Sequence, residues 1–409
     1  MIVRGGTVVS SRGLERADIS ITSDGVIAAV GRDLEADGEE IDASGLHVFP
    51  GGIDSHVHFN EPGRTEWEDI AHGSAALAAG GYTAFIDMPL NNLPVTTTID
   101  AFDVKLQAMQ RSSRVDFGLW AGLVPGNLDD IEPLVARGAM GFKAFMCPSG
   151  IDEFPACDEA TLREGMERIA EANSILLVHA EDPALLREPA GPSGADFAAS
   201  RPPEAELAAI ETVVRLSRDT GCRAHIVHVS TPQGAALLGG GVSGETCPQY
   251  MLFTEADLER LGGMGKCAPP LRAARMQAMP IIVSDHSPST LDLKQGDDFR
   301  KIWGGISGCQ TTRGLLLGMD FDPASVAAIT ATNVARRFRI ARKGDIAPGF
   351  DADLWLMDLG HEGVVRQQDL LYKNPFSAFE GEPIRGRTVM TLVHGEPPSP
   401  GLGRMFGTV

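Results

Sequence analysis

Short apolar runs recur through the middle of the chain, and between them lie stretches whose apolar positions fall three and four residues apart. The first pattern predicts β-strands and the second predicts helices. Candidate strands lie at 48–59, 82–88, 115–123, 141–146, 175–180, 224–230, a poorly marked stretch before 245, and 280–285. A predicted helix over 66–80 places Trp67, Ile70, Ala71, Ser74, Leu77 and Ala78 on one face, with Gly80-Gly81 as its stop. Strands alternating with helices are the mark of βα units and a parallel sheet, so the expected fold class is α/β. Eight strands is the number that closes a TIM-type (β/α)8 barrel.

The two ends read differently. Residues 1–50 alternate in polarity and turn at Gly5-Gly6, Ser23-Asp24-Gly25 and Asp37-Gly38. The tail from 344 has the same character, in Asp351-Ala-Asp-Leu-Trp-Leu-Met and again in Arg387-Thr-Val-Met-Thr-Leu-Val. The ends are expected to fold together as a small β-sandwich domain, 1–50 with 344–409, beside a hydrolase barrel at 51–343.

Composition narrows the functional classes. A chain of 409 residues with 43% hydrophobic and 22% charged residues can bury a large core. Its formal net charge of −20 disfavours nucleic acid and anionic membranes as partners. No apolar run reaches about 18 residues, so no membrane span is expected, and the opening residues do not read as a secretory signal. The six cysteines, at 147, 157, 222, 247, 267 and 309, form no Cys-x-x-Cys pair, which suits reduced thiols in a cytoplasmic protein. Cys147, four residues after Lys143, is the one best placed to line a pocket, with plain packing as the first reading.

Chemistry concentrates at the strand exits. On a strand, His56 and His58 point the same way while Val57 points the other, so one strand offers two imidazoles to one ion. Later apolar runs end at Lys143, His179, His228 and Asp285. In a (β/α)8 barrel the carboxyl ends of the strands are where functional groups gather. By the same parity His225 is expected to face away from His228, and His286 away from Asp285. His47, His72, His361 and His394 lie outside the exits and are expected to be structural or solvated.

Three longer motifs carry a resemblance: His58-Phe-Asn-Glu-Pro-Gly-Arg-Thr-Glu-Trp-Glu68, Asp87-Met-Pro-Leu-Asn91 and Lys143-Ala-Phe-Met-Cys-Pro-Ser-Gly150. With the histidines they resemble the amidohydrolase superfamily over essentially the whole chain. Within it they are similar to the cyclic-amidase group of dihydroorotases, hydantoinases and allantoinases, and most of all to the last. The resemblance implies two divalent ions, zinc in the usual case, held by His56 and His58 on one side and His179 and His228 on the other. It implies a carbamate on Lys143 that bridges them, and Asp285 as both a ligand and the catalytic proton carrier. Asn91 and Ser287 resemble substrate-contacting positions. The implied substrate is a small molecule, allantoin, because Asn60 stands where dihydroorotases carry an arginine for a substrate carboxylate. Met146 to Ser149 also lack the tyrosine of hydantoinases. A hydantoinase-like or dihydropyrimidinase-like cyclic amidase is the alternative, and a non-catalytic scaffold a more remote one. A homo-oligomer, a tetramer by resemblance, is expected.

Three segments are shorter than the resemblance implies: 187–200, 239–245 and 272–281. Either residues are missing there or the joins are real, in which case strand seven is abnormal. Gln249 stands where many allantoinases carry a histidine.

Overall fold

The computed structural model describes residues 1–35 and 38–406. The opening strands are β1 (Ile2–Ser10), β2 (Gly13–Ile21), β3 (Ile27–Gly31), β4 (Glu40–Asp42) and β5 (His47–Pro50). Shorter ones follow: β6 (Gly52–Val57), β7 (Tyr82–Asp87), β8 (Asp116–Leu119), β9 (Ala121–Gly122), β10 (Phe142–Phe145), β11 (Ile175–His179), β12 (Arg223–Ile226) and β13 (Val242–Gly244). Two long strands come last, β14 (Leu354–Val364) and β15 (Pro383–Leu392).

Both chain ends enter one seven-stranded sheet, ordered β15-β14-β5-β1-β2-β3 with β4 paired on β1. Leu354 to Met357 run antiparallel to Pro50 back to His47, which joins residues some three hundred positions apart. Alternation explains its two covered faces. Val8, Val48, Leu354 and Leu356 share one cluster, whereas their neighbours Val9, Phe49, Trp355 and Met357 pack with Leu316, Leu317 and Val326 on the other side. Gly25 turns with φ 79°, and a Cβ there would fall 2.4 Å from the carbonyl oxygen of His394. Asp37, half of the Asp37-Gly38 turn, lies outside the described residues. The last described residues leave this sheet: Phe117 bridges to Met405, and Arg404 N donates to Asp116 Oδ1 at 2.8 Å.

The short strands form two parallel sheets, β6-β7-β8 and β9 to β13 in sequence order. Every position of β6, β7, β10 and β11 is buried, as strands covered on both faces must be. Trp120, between β8 and β9, marks where the chain leaves one sheet for the other, and single bridges Thr246–Ile282 and Val57–His286 connect their remaining edges. The architecture is mixed α/β with parallel sheets.

Several predicted elements differ from the observed ones. Residues 280–285 form no strand of their own and pair only through isolated bridges, because Asp285 has φ 45° and breaks the extended backbone. The strand predicted over 224–230 stops at Ile226, for His228 has φ 40°. The helix predicted over 66–80 starts at Ile70, where Asp69 caps it by accepting a hydrogen bond from His72 N at 2.8 Å. Trp67 therefore precedes the helix and packs edge-on against Trp303, with ring centroids 4.7 Å apart. The seventh strand has three residues, yet it pairs in parallel with Ala224 to Ile226. Gly239, Gly240 and Gly241 make its short lead-in, all with positive φ, a turn that side chains would resist.

One buried cation ties the terminal sheet to the parallel strands. Lys343 Nζ lies 2.7 Å from Asp116 Oδ2, 2.6 Å from Asp353 Oδ2 and 3.2 Å from Asp351 Oδ2, and His394 Nε2 is 2.8 Å from the same Asp116 oxygen. Removing the ammonium would leave three buried carboxylates facing one another. Lys343→Met is expected to lower the unfolding free energy by about 3–5 kcal/mol, the range for a broken buried pair. Urea denaturation measures it, and a loss under about 1 kcal/mol would show that water screens the cluster.

Candidate metal centre

Five strand exits deliver six side chains to one place. His56 sits in β6 and His58 just beyond it, Lys143 in β10, His179 at the last position of β11, His228 after β12, and Asp285 after the bridge at Ile282. All six line one cavity of about 360 Å³, with Asn91 and Ser287 in its wall. His56 Nε2 and His58 Nε2 lie 3.2 and 3.5 Å from Asp285 Oδ1. His179 Nδ1 lies 3.0 Å from His228 Nε2, and the His56 and His228 ring centroids are 5.4 Å apart. His228, Asp285 and Asn91 all have positive φ. Such backbone is costly for non-glycine residues and tends to concentrate at functional sites.

The second motif explains how His58 is held. Asp87 Oδ1 accepts from Phe59 N at 2.7 Å, and its Oδ2 is ion-paired at 2.8 Å with buried Lys105. Lys105 also donates to the carbonyls of Phe59 and Glu61, so the turn after His58 is fixed to the end of β7. Asn91 Nδ2 then lies 3.5 Å from His58 Nδ1.

Protonation follows from the outer partners. His179 Nε2 is 2.6 Å from Glu181 Oε2, and Arg201 Nη2 is 2.5 Å from the same oxygen. Burial pushes Glu181 up, but Arg201 and His179 outweigh it and hold the carboxyl at about 2. A carboxylate there makes His179 Nε2 the donor and leaves Nδ1 a lone pair aimed at His228 Nε2. On the other side His56 Nδ1 is 2.6 Å from Glu245 Oε1, with His225 Nε2 and Ser55 Oγ at 3.1 and 3.3 Å from Oε2. Burial pushes Glu245 up to about 8, against the charge of Lys143 and the Ser55 hydrogen bond; its carboxylate form is the one to which His56 Nδ1 and His225 Nε2 donate. His56 Nε2 then presents a lone pair to Asp285 Oδ1. Burial holds His56 and His228 well below the usual imidazole range and lowers His179, so these rings are neutral. Burial also brings Lys143 down to about 7, against the pull of Asp285 and Glu245, which makes its neutral amine accessible.

These donors fit divalent cations. The His56 and His179 lone pairs and the Asp285 carboxylate all face this cavity, an arrangement that positive charge placed among them would stabilise. Two Zn–N bonds of about 2.0–2.1 Å at a tetrahedral angle separate their nitrogens by about 3.3 Å, close to the spacing of His179 and His228. The chemistry of the donor set is borderline nitrogen plus carboxylate oxygen, which suits zinc. His56, His228 and Asp285 can hold one ion on distance alone. Cys147, His179 and Glu181 also come together, but burial pushes the Cys147 thiol up to about 12, so it remains a thiol and a poor ligand.

Sequence alone did not reveal Glu181 and Glu245 as partners. Glu181 comes two residues after His179, but β11 ends at His179, so strand alternation does not place it. Glu245 follows the three-residue β13, too short a run to mark its position. His225 joins the cluster indirectly through Glu245; parity did not apply because His228 is off the strand. His286 does turn away from Asp285, its Nδ1 accepting from Gly308 N at 3.2 Å. Cys147 is buried against Arg201, Sγ to Nη2 3.5 Å, and all six cysteines are free. Among the described residues no helix is long and apolar enough to cross a membrane.

Residues 47–397 match the Amidohydrolase family. An allantoinase of Rubrobacter xylanophilus is 48% identical over 97% of this chain and 93% of its own length, and one from Solibacter usitatus is 44% identical over 96% and 92%. Each alignment spans 424 positions, more than the 409 residues here, so this chain lacks residues that these relatives carry. Among solved structures, the L-hydantoinase (dihydropyrimidinase) from Arthrobacter aurescens superposes with a TM-score of 0.94 at 31% identity, covering 99% of both chains. Six converging side chains and whole-length similarity agree: the chain belongs to the amidohydrolase family and aligns along nearly its full length with allantoinases.

Proposed function

We propose that this protein hydrolyses the cyclic amide bond of allantoin to give allantoate, at a centre of two divalent ions, zinc in the first instance. The observation that carries the reading is the convergence of His56, His58, Lys143, His179, His228 and Asp285 on one cavity. The near full-length similarity to allantoinases chooses the substrate. We also read the two parallel sheets and their edge bridges as a (β/α)8 barrel over 51–343, with 1–50 and 344–409 as the small β-domain. A cytoplasmic homo-oligomer, a tetramer in form, belongs to the same reading.

When bound, the ions supply Lewis acidity and lower the pKa of water. The chain's own residues do the rest. Neutral Lys143 would take up carbon dioxide as a carbamate with loss of a proton, which would add a second carboxylate to hold the ions beside Asp285. Asp285, close to His56 and His58 and facing the cavity, accepts a proton from water and returns it to the departing ring nitrogen. Glu181 and Glu245 keep the outer nitrogens of His179 and His56 protonated so that the inner ones remain lone pairs. Asn91 and Ser287 offer hydrogen bonds to the ureide from the cavity wall.

Turnover of allantoin is expected to exceed that of hydantoin, dihydrouracil and dihydroorotate, and to be lost on chelation. Lys143→Ala is expected to lower kcat roughly a thousandfold, the several kcal/mol that metal assistance supplies. Metal analysis of the same samples should give about two ions per chain in the parent protein. Activity surviving both treatments would refute the mechanism, and faster hydantoin turnover would favour the alternative substrate class.

Glu181→Gln keeps an acceptor for His179 but removes the charge. It is expected to weaken binding of the ion at His179 and His228 by about 10–100-fold, the usual effect of losing such an outer partner, as read by competition with a metallochromic chelator.

Metal-free protein should regain activity faster with zinc and bicarbonate at about pH 8 than at about pH 6, since only the neutral form of Lys143 reacts and its population falls below about pH 7. Reactivation indifferent to both bicarbonate and pH would argue against the carbamate.

A further inference from the structure

One wall of the cavity is a single run of backbone, Arg300 to Gly305, that belongs to no helix or strand. Two lysine side chains fasten it. Lys266 Nζ donates to the carbonyls of Phe299 and Ile302, each at 2.5 Å. Lys294 Nζ donates to Trp303 O at 3.0 Å, to Gly263 O at 3.4 Å and to Gly305 O. Both lysines are buried, and among the described residues neither has a carboxylate within ion-pairing distance. Their N–H groups are met by carbonyls alone, with the Phe197 and Phe299 rings 4.8 and 5.6 Å from Lys266 Nζ. Burial without an acid brings Lys266 down to about 8 and Lys294 to about 7, so the wall is held by N–H donation to carbonyls, a use of two buried amines on one segment that packing alone does not explain.

The wall is also fixed at both margins of the site. Trp303 packs on Trp67, from the motif that follows His58, and Arg64 lies 4.9 Å over the Trp67 ring. Gly305 abuts Ser287: a Cβ at Gly305 would fall 2.4 Å from the Ser287 carbonyl oxygen.

We propose that Lys266 and Lys294 are positioning residues for the cyclic-amide substrate: by gripping the carbonyls of Phe299, Ile302, Trp303 and Gly305 they set the distance between this wall and the His-Lys-Asp cluster. The inference rests on the cyclic-amidase reading above. The lysines act through the wall and touch no reacting atom, so their loss affects how well substrate is held more than how fast it reacts.

Steady-state kinetics with allantoin, bound-metal analysis and thermal melting on Lys266→Met, Lys294→Met and Gly304→Ala test it. Gly304 lies in the wall, and a Cβ there meets nothing within 4 Å, so that variant keeps the fold while altering the cavity surface. Each variant is expected to raise KM about tenfold or more with kcat within about threefold and metal content unchanged, the signature of lost binding made equally in ground and transition states. Unchanged KM in folded lysine variants, or loss of metal together with kcat, would overturn the proposal. If the methionine variants do not fold, Lys266→Gln and Lys294→Gln, which retain a donor, decide it by the same KM and kcat split. Should the parent protein turn over hydantoin or dihydrouracil instead of allantoin, the split is read on that substrate, so a wrong substrate and a wrong wall give different results.

Discussion

Nitrogen and carboxylate donors crowded into one cavity are the constraint around which this molecule is organised. His56 Nε2 faces Asp285 Oδ1 at 3.2 Å, and His179 Nδ1 faces His228 Nε2 at 3.0 Å. Each close pair can share one proton, or turn its lone pairs inward toward cations placed among them. The protein sustains the arrangement by fixing each group from outside. Glu181 and Glu245 hold two rings by their far nitrogens, and Asp87 with Lys105 fixes the turn that carries His58.

Those outer contacts reach deep into the fold. Glu245 is met by donors from β6 and β12, so the short seventh strand carries weight beyond its three residues. Arg201 anchors Glu181 from the loop that follows the helix Gly194–Ser200. The Lys266 and Lys294 contacts treat the opposite wall in the same way, with buried amines gripping carbonyls where no regular element exists. Not every buried polar group here is satisfied by protein: among the described residues, His228 Nδ1 and both amide atoms of Gln249 have no hydrogen-bond partner.

Much of this was legible in the chain. Apolar runs located the parallel strands because strands buried on both faces must be nearly continuous in apolar character. The two histidines of β6 announced a shared ion through strand alternation alone. Where reading failed, a local conformation had overridden the pattern. Positive φ at His228 follows the early end of a strand that composition would have continued, the run before Asp285 pairs only by an isolated bridge, and the Asp69 cap set the helix start four residues later than its apolar periodicity.

The sequence by itself determined the α/β class, the pairing of its two ends in one sheet and the six side chains at strand exits, since periodicity and residue type are local properties. Only the tertiary structure decided which carboxylates stand behind which histidines, that three glycines close the lead-in to strand seven, and that lysines far from the cluster hold its wall. The contacts of Glu245 with His56 and of Lys266 with Phe299 join residues 189 and 33 positions apart, and no short-range pattern in a chain encodes a partner that only folding brings within 3 Å.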